Sequence, residues 1–191
     1  KSSDSGFTLS RDAFDFENFA VGYDASRMTP DLAARMFGAD RVCDATVSTD
    51  GNCQPTTGAQ GWIEGVTASL ANGRCEGMAV LSQLMFLGDL KAKDFGDDTA
   101  RDLTLARNFD LQRELAYWFA TQLVPGVVKN EKYMPKDVLP FLASFLKPGA
   151  TESYRIGMVQ KLPTGFGLSH SLTPIGYAAG ESDGIYYIRV Y

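Results

Sequence analysis

Hydrophobic residues recur every three or four positions through most of the chain and change to alternation near its end. The helical spacing predicts four amphipathic helices, over residues 30–37, 57–70, 110–124 and 134–146. Thr29 followed by Pro30 is a favourable helix start, and Gly38 is a stop signal for the first of these helices. Each helix offers one apolar face to a core.

The segment from Cys75 to Leu87 differs because it leaves almost no polar stripe. Between Met78 and Leu87, only Ser82 and Gln83 are polar. A helix that is apolar nearly all round is buried in the centre of a protein. The pattern therefore predicts a central helix of about 13 residues that begins at Cys75.

The C-terminal region alternates apolar and polar residues, as β-strands do. Three strands are predicted, over residues 153–161, 166–177 and 184–191. Helices followed by an antiparallel sheet indicate an α+β fold. The first 27 residues carry four phenylalanines without a clear period, which predicts an extended segment, 1–27, that covers the body of a single domain, 1–191.

Composition narrows the possible partners. The 191 residues are 45% hydrophobic and 12% aromatic, enough to bury a core, and their net charge is −5. Without a basic surface, neither nucleic acid nor an anionic membrane is an expected partner. The best apolar run, residues 78–87, is too short to span a membrane.

The three cysteines divide unevenly. Cys43 and Cys53 flank a short polar loop with a turn signal at Asp50-Gly51-Asn52, so their side chains can meet as a disulfide. Two free thiols or half of a metal site are the alternatives, but a single histidine and the lack of a C-x-x-C pair argue against metal. We therefore predict a disulfide, no metal, no cofactor and an oxidising compartment outside the cytosol.

Cys75 is then the cysteine left over, and two roles are open to it. It is either a small packed residue under a helix start or a thiolate, which a helix N-terminus stabilises. His170 is the one histidine, so thiol–imidazole chemistry would have to pair it with Cys75. The alternative for His170 is a half-buried side chain that bonds a backbone carbonyl.

A resemblance rests on the stretches MTPDLAARMFGADRVC, CQPTTGAQGWIEG, NGRCEGMAVLS, LQRELAYWFATQ and HSLTPIGY. A cysteine that opens a buried helix in a helical N-terminal half, with a histidine on a strand of a C-terminal sheet, resembles the papain-like cysteine peptidase superfamily. More closely, the chain is similar from about residue 28 onward to an uncharacterised family of bacterial secreted proteins with a Cys/His dyad. The resemblance implies a papain-like fold, Cys75 as nucleophile, and His170 as general base and then acid.

Papain-like sites also need an oxyanion hole, formed by the backbone N–H of the cysteine and a side-chain amide from upstream. The papain spacing puts a glutamine six residues before the cysteine, where this chain has Ser69. Asn72, Gln60 and Gln54 are the possible substitutes. Asn72 is the nearest to the cysteine and is the candidate for this role, although it equally suits a helix C-cap.

A third residue, Asn or Asp, is expected to orient the imidazole from the strand paired with that of His170. If the hairpin turn is centred on residues 181–182, His170 faces a position at about 193. The expectation is therefore that the sheet is truncated in this sequence, and that the natural chain continues past Tyr191 with an Asp or Asn within about four residues. The acidic residues at the turn tip are expected to be too far from His170.

Two functions follow from these residues. The first is a secreted or cell-surface cysteine hydrolase that cleaves peptide or related amide bonds in a peptide or protein substrate; the same dyad would also serve acyl transfer to another acceptor. The second is a non-catalytic surface, scaffold or assembly module that keeps the fold and works by binding or self-assembly. Loops carry specificity without leaving a short motif, so the sequence does not identify the substrate.

Overall fold

The structure is a computed structural model that describes residues 2–20, 22–49, 51–127, 133–161, 163 and 167–191. Its helices are α1 (Leu9–Asp12), α2 (Pro30–Phe37), α3 (Ala39–Val42), α4 (Thr57–Leu70), α5 (Cys75–Leu87), α6 (Phe109–Thr121) and α7 (Pro135–Phe145), with a 3-10 helix at Ala92–Phe95. Its strands are β1 (Ser2–Asp4), β2 (Ile156–Lys161), β3 (Gly167–Leu172), β4 (Pro174–Ala179) and β5 (Tyr186–Val190). The predicted α+β class is confirmed.

Side-chain caps set the starts of the helices. The Thr29 hydroxyl accepts a hydrogen bond from the backbone N–H of Leu32 in α2, and the Thr56 hydroxyl accepts one from that of Ala59 in α4, both at 3.3 Å. The predicted bounds of α2, α4 and α5 are confirmed. Helix α6 ends at Thr121, before the predicted position, because the chain changes to tighter turn bonds, from the N–H of Leu123 to the Ala120 carbonyl and from that of Val124 to the Thr121 carbonyl.

The chain divides into two compact units. The helical unit comprises Asn18–Gly77 and Leu105–Val128, and the sheet unit comprises Lys1–Glu17, Met78–Thr104 and Lys129–Tyr191. Helices α2, α3, α4 and α6 belong to the helical unit, together with the first three residues of α5. The strands, α1, α7 and the rest of α5 belong to the sheet unit. The single domain over 1–191 stays a prediction.

The core of the helical unit comes from the inward faces of its helices. Its buried residues are Met28, Leu32, Ala33, Val42, Ile63, Val66, Leu70, Ala116, Phe119 and Ala120. At its border, the rings of Phe37 and Trp62 meet edge to face with centroids 4.9 Å apart. Nearer the surface, the Arg35 guanidinium forms two hydrogen bonds with the Glu114 carboxylate, at 2.6 and 2.8 Å, and Glu114 also accepts one from the Trp118 indole at 2.9 Å. Helices α2 and α6 are thereby joined by polar as well as apolar contacts.

The sheet unit holds an antiparallel sheet in the order β1–β4–β5 and a separate β2–β3 hairpin. The prediction of one strand over 166–177 is wrong, because the chain leaves the hairpin at Thr173 and enters the other sheet. Thr173 is buried: its hydroxyl donates to the Ala79 carbonyl at 3.2 Å and accepts from the Gln83 amide at 3.3 Å. These bonds to α5 divide the predicted strand into β3 and β4.

The N-terminal segment contains regular structure that the sequence pattern does not predict. Residues Ser2–Asp4 form β1, which pairs with β4 so that Ser3 lies opposite Tyr177. Farther along, Leu9–Asp12 form a helical turn, and Phe7 is buried against Phe86 with ring centroids 5.4 Å apart. The segment therefore contributes a strand and core side chains to the sheet unit.

Candidate functional site

Cys75 is the first residue of α5, and its thiol is half-buried and not in a disulfide. Helix α4 ends at Leu70, and the chain turns through Asn72 and Gly73 before α5 begins. Gly73 has a φ of +115°, which side chains other than hydrogen rarely tolerate. The predicted helix start at Cys75 and the unpaired state of its sulfur are both confirmed.

Arg74, directly before the cysteine, is buried, with 5% of its surface exposed. Its guanidinium donates to the hydroxyl of Ser26 at 2.5 Å and to the backbone carbonyl of the same residue at 2.6 Å. It also donates to the backbone carbonyls of Phe19, Ala20 and Leu70, at 2.8 to 3.0 Å. Because all these acceptors are neutral, burial lowers the pKa of Arg74 to about 10, and the group remains cationic at neutral pH.

The Asn18 side chain contacts the backbone on the N-terminal side of the cysteine. Its Oδ1 accepts a hydrogen bond from the backbone N–H of Arg74 at 2.6 Å. The same amide lies so close to Gly73 that a Cβ added there would be 2.6 Å from Asn18 Nδ2. The backbone conformation therefore requires glycine at position 73, and a side chain there would also displace the Asn18 amide.

Gly77 allows the first turn of α5 to approach α6 closely. A Cβ at this position would collide with the backbone carbonyl oxygen of Leu115 and lie 3.2 Å from the backbone nitrogen of Phe119. Both of these atoms are backbone, so neither can move aside cheaply. The backbone around Cys75 is thus held at two points. Before the cysteine, the buried guanidinium of Arg74 holds it; after the cysteine, Gly77 packs against the backbone of α6.

The start of α5 has the chemistry to stabilise negative charge. The first N–H groups of an α-helix have no acceptor within the helix, and they carry the positive end of the helix dipole. A thiolate at the first residue lies beside these groups, and so would the oxygen of a carbonyl that the sulfur attacks. The arrangement suits a nucleophilic thiol that needs a donor for an oxyanion.

The side-chain amides considered for the oxyanion hole lie in three places. Asn72 is exposed in the turn after α4, and its backbone N–H donates to the Ser69 carbonyl at 3.1 Å. Gln60 donates to the Glu64 carboxylate at 2.5 Å, on the same helix. Gln54 donates to the Asn52 side chain at 3.3 Å. Asn72 therefore stays a prediction, and the other two amides are engaged in local bonds.

His170 lies on β3 in the sheet unit, and its side chain is exposed. Its partner across the ladder is Met158 of β2. The expectation that the His170 strand pairs with the C-terminal strand is wrong, because β5 pairs with β4 instead. Cys75 belongs to the helical unit and His170 to the sheet unit, so their dyad stays a prediction.

The predicted disulfide between Cys43 and Cys53 is confirmed, with Cα atoms 5.1 Å apart. Backbone bonds beside it close the loop: the N–H of Asp44 donates to the Gln54 carbonyl at 2.7 Å, and the N–H of Thr56 donates to that of Val42 at 2.8 Å. In the chain-entropy account, a cross-link over so short a loop stabilises the folded state by about 2–3 kcal/mol. The bond therefore fixes the segment between α3 and α4.

Sequence reasoning did not assign roles to Arg74 or Asn18. The signal for Arg74 was present, because an arginine directly before an apolar helix must either reach solvent or be buried with several acceptors. For Asn18 the sequence contains no such signal, since Asn18 lies 56 residues away from Arg74. Their connection is a property of the tertiary structure.

Among the described residues, no three His, Cys, Asp or Glu side chains come together in a way that could hold a metal ion. Within the same ranges, none of the helices combines the length and the apolar character needed to cross a bilayer. Comparisons of the chain with family models, with curated proteins and with solved structures found no match.

Proposed function

We propose that the protein is a papain-like cysteine hydrolase that acts on peptide or related amide bonds, with Cys75 as its nucleophile. The observation that carries the proposal is the half-buried, unpaired thiol on the first residue of a 13-residue helix. A helix N-terminus stabilises an adjacent negative charge by about 0.3–1 kcal/mol, which favours the thiolate over the thiol. The glycines at positions 73 and 77 support the proposal, because they let Asn18 and the backbone of α6 pack closely against the chain on the two sides of the cysteine and so fix its backbone.

In the proposed reaction, His170 first takes the proton of the Cys75 thiol, and the thiolate then attacks the substrate carbonyl carbon and forms a tetrahedral oxyanion. Backbone N–H groups at the start of α5 donate hydrogen bonds to this oxygen. The oxyanion collapses, the leaving amine takes a proton from the imidazolium of His170, and water then hydrolyses the thioester. The assignment of His170 rests on the sequence, in which it is the one imidazole.

The compartment is part of the proposal. The Cys43–Cys53 disulfide supports a secreted or cell-surface protein, because such bonds persist in oxidising environments. Peptides or proteins outside the cytosol would then be its substrates.

Acylation by p-nitrophenyl acetate tests the proposal, because the reagent transfers its acetyl group to a nucleophilic thiol and releases p-nitrophenolate. We expect a burst of about one p-nitrophenolate per chain and an acetyl group that peptide mapping places on Cys75. The Cys75→Ala variant should lose the burst, and His170→Ala should slow it by about 100-fold or more. A wild-type chain without a burst, or with the acetyl group elsewhere, would contradict the hydrolase.

A second function is a binding or assembly module, favoured by the exposed apolar side chains of the sheet unit. Val159 is 70% exposed, Tyr187 60% and Met158 59%. Exposed apolar surface marks an interaction site when it is contiguous, and Met158 and Val159 are successive residues of β2 that expose apolar side chains on both faces of the hairpin. If Cys75 is not acylated, this function becomes the better account of the chain.

A further inference from the structure

The contacts of the Arg74 side chain hold the backbone directly before Cys75 in place. Its buried guanidinium bonds five neutral oxygens, four of them on Phe19, Ala20 and Ser26 and the fifth on Leu70, and so ties these residues to the turn that precedes α5. Its guanidinium carbon also lies 4.4 Å from the centre of the Phe19 ring. The backbone of Arg74 is therefore fixed through its own side chain.

Asn18 fixes the same backbone a second time. Its Oδ1 takes the backbone N–H of Arg74, at 2.6 Å, while its amide fills the space above Gly73. The next N–H along the chain is that of Cys75, the group that a thiol hydrolase uses as an oxyanion donor. An oxyanion donor must be held to within a fraction of an ångström of its productive position.

We propose that Asn18 and Arg74 are positioning residues for the oxyanion-binding N–H groups at Cys75. This inference rests on the proposed function, since it assigns residues to the same site. Asn18 acts through its oxygen, which accepts a hydrogen bond from the backbone N–H of Arg74. Arg74 acts through its guanidinium, whose N–H groups donate to several acceptors at once. Neither side chain needs to touch the substrate.

Two reactions of the same thiol separate positioning from folding. Acylation by p-nitrophenyl acetate passes through an oxyanion, whereas alkylation by iodoacetamide displaces iodide from carbon and forms none. Both reactions require a thiolate at Cys75, so the ratio of the acylation rate to the alkylation rate reports the oxyanion donors. A change that merely loosens the fold alters both rates and does not selectively lower this ratio.

In Asn18→Ala, which is a change at an exposed position, we expect the ratio to fall by about tenfold or more. Asn18→Asp keeps an acceptor oxygen and should restore the ratio to within about twofold of wild type, because its added charge affects both reactions through the shared thiolate. Arg74→Lys keeps the charge but loses the fork, so its ratio should fall as in Asn18→Ala.

Asn108→Ala is the matched control, because Asn108 also accepts a backbone N–H in the helical unit, that of Leu111 at 3.2 Å. It should lower the urea midpoint of unfolding and leave the ratio unchanged. If wild-type Cys75 is acylated but Asn18→Ala keeps the wild-type ratio, the positioning role is wrong and the hydrolase stands. A fall in Asn18→Asp equal to that in Asn18→Ala also overturns it, because the amide nitrogen and not the acceptor would then matter. If wild-type Cys75 is not acylated at all, the proposed function itself fails.

Discussion

The turn before Cys75 and the β2–β3 hairpin that carries His170 hold their side chains by different means. In the turn, the buried Arg74 guanidinium and the contact of Asn18 with Gly73 fix the backbone through contacts that are distant in sequence. In the hairpin, a two-stranded ladder fixes the backbone, and Met158 and Val159 stay exposed. Packing against neighbours leaves little room for substitution, whereas a ladder alone tolerates many side chains. The two regions should therefore respond very differently to mutation.

The largest effect is expected where α5 meets α6. Gly77→Ala places a methyl group against the backbone of Leu115, so the helices must separate, and we expect a loss of about 2–4 kcal/mol of unfolding free energy. Urea titration measures the change. Gly65→Ala on α4 is the control: no atom lies within 4 Å of its added Cβ, so the better helix propensity of alanine should stabilise by about 0.5–1 kcal/mol. Equal stabilities of the two variants would contradict the tight contact.

A smaller change in stability, which depends on pH, is expected at Tyr191, a residue of the sheet unit that lies outside the hairpin. Burial raises the pKa of Tyr191 to about 12, and its hydroxyl accepts a hydrogen bond from the Phe14 N–H at 2.9 Å. A tyrosine whose pKa is raised on folding keeps its full contribution below pH 10, near its unfolded value of 10.0, and loses it as the pH rises towards 12.

We therefore expect wild type to be more stable than Tyr191→Phe by about 1 kcal/mol at neutral pH. This advantage should decline by about 1–2 kcal/mol between pH 10 and 12, after allowance for the partial exposure of the ring. Urea titrations of both proteins across that range give the difference. An advantage that does not change with pH would show that Tyr191 is solvated like the hairpin side chains.

The smallest effect is expected in the hairpin itself. Val159→Thr keeps the shape of a side chain that is 70% exposed, so stability should change by no more than about 0.5 kcal/mol. The same substitution at Val66, which is 1% exposed in α4, buries a hydroxyl and should cost about 1–3 kcal/mol. Thermal or urea unfolding of both variants tests the contrast, which would disappear if Val159 were covered in solution.

Local signals account for the parts of the fold that the sequence predicts. Thr29 and Thr56 begin their helices through bonds to residues three positions ahead, and such caps can be read from a short window. The start of α5 at Cys75 follows in the same way from glycines and an apolar run. The candidate nucleophile was therefore identifiable before the structure.

Hydrogen bonds between residues distant in sequence account for the parts of the fold that the sequence does not predict. The division of β3 from β4 depends on Thr173 and its bonds to Ala79 and Gln83, more than 90 residues earlier for Ala79. Strand β1 is three residues long and polar, and it joins the sheet through backbone pairing and an ion pair between Asp4 and Arg189 of β5, neither of which leaves a hydrophobic pattern in the sequence. The contact of Asn18 with Arg74 is of the same kind.

The positions of the two tryptophans have a consequence for spectroscopy. Trp62 lies against Phe37, Trp118 bonds Glu114, and both indoles belong to the helical unit. Since the chain has two tryptophans in total, emission excited at wavelengths where tyrosine does not absorb comes from that unit. One unlabelled sample thus carries an optical signal from the part of the chain that holds the thiol.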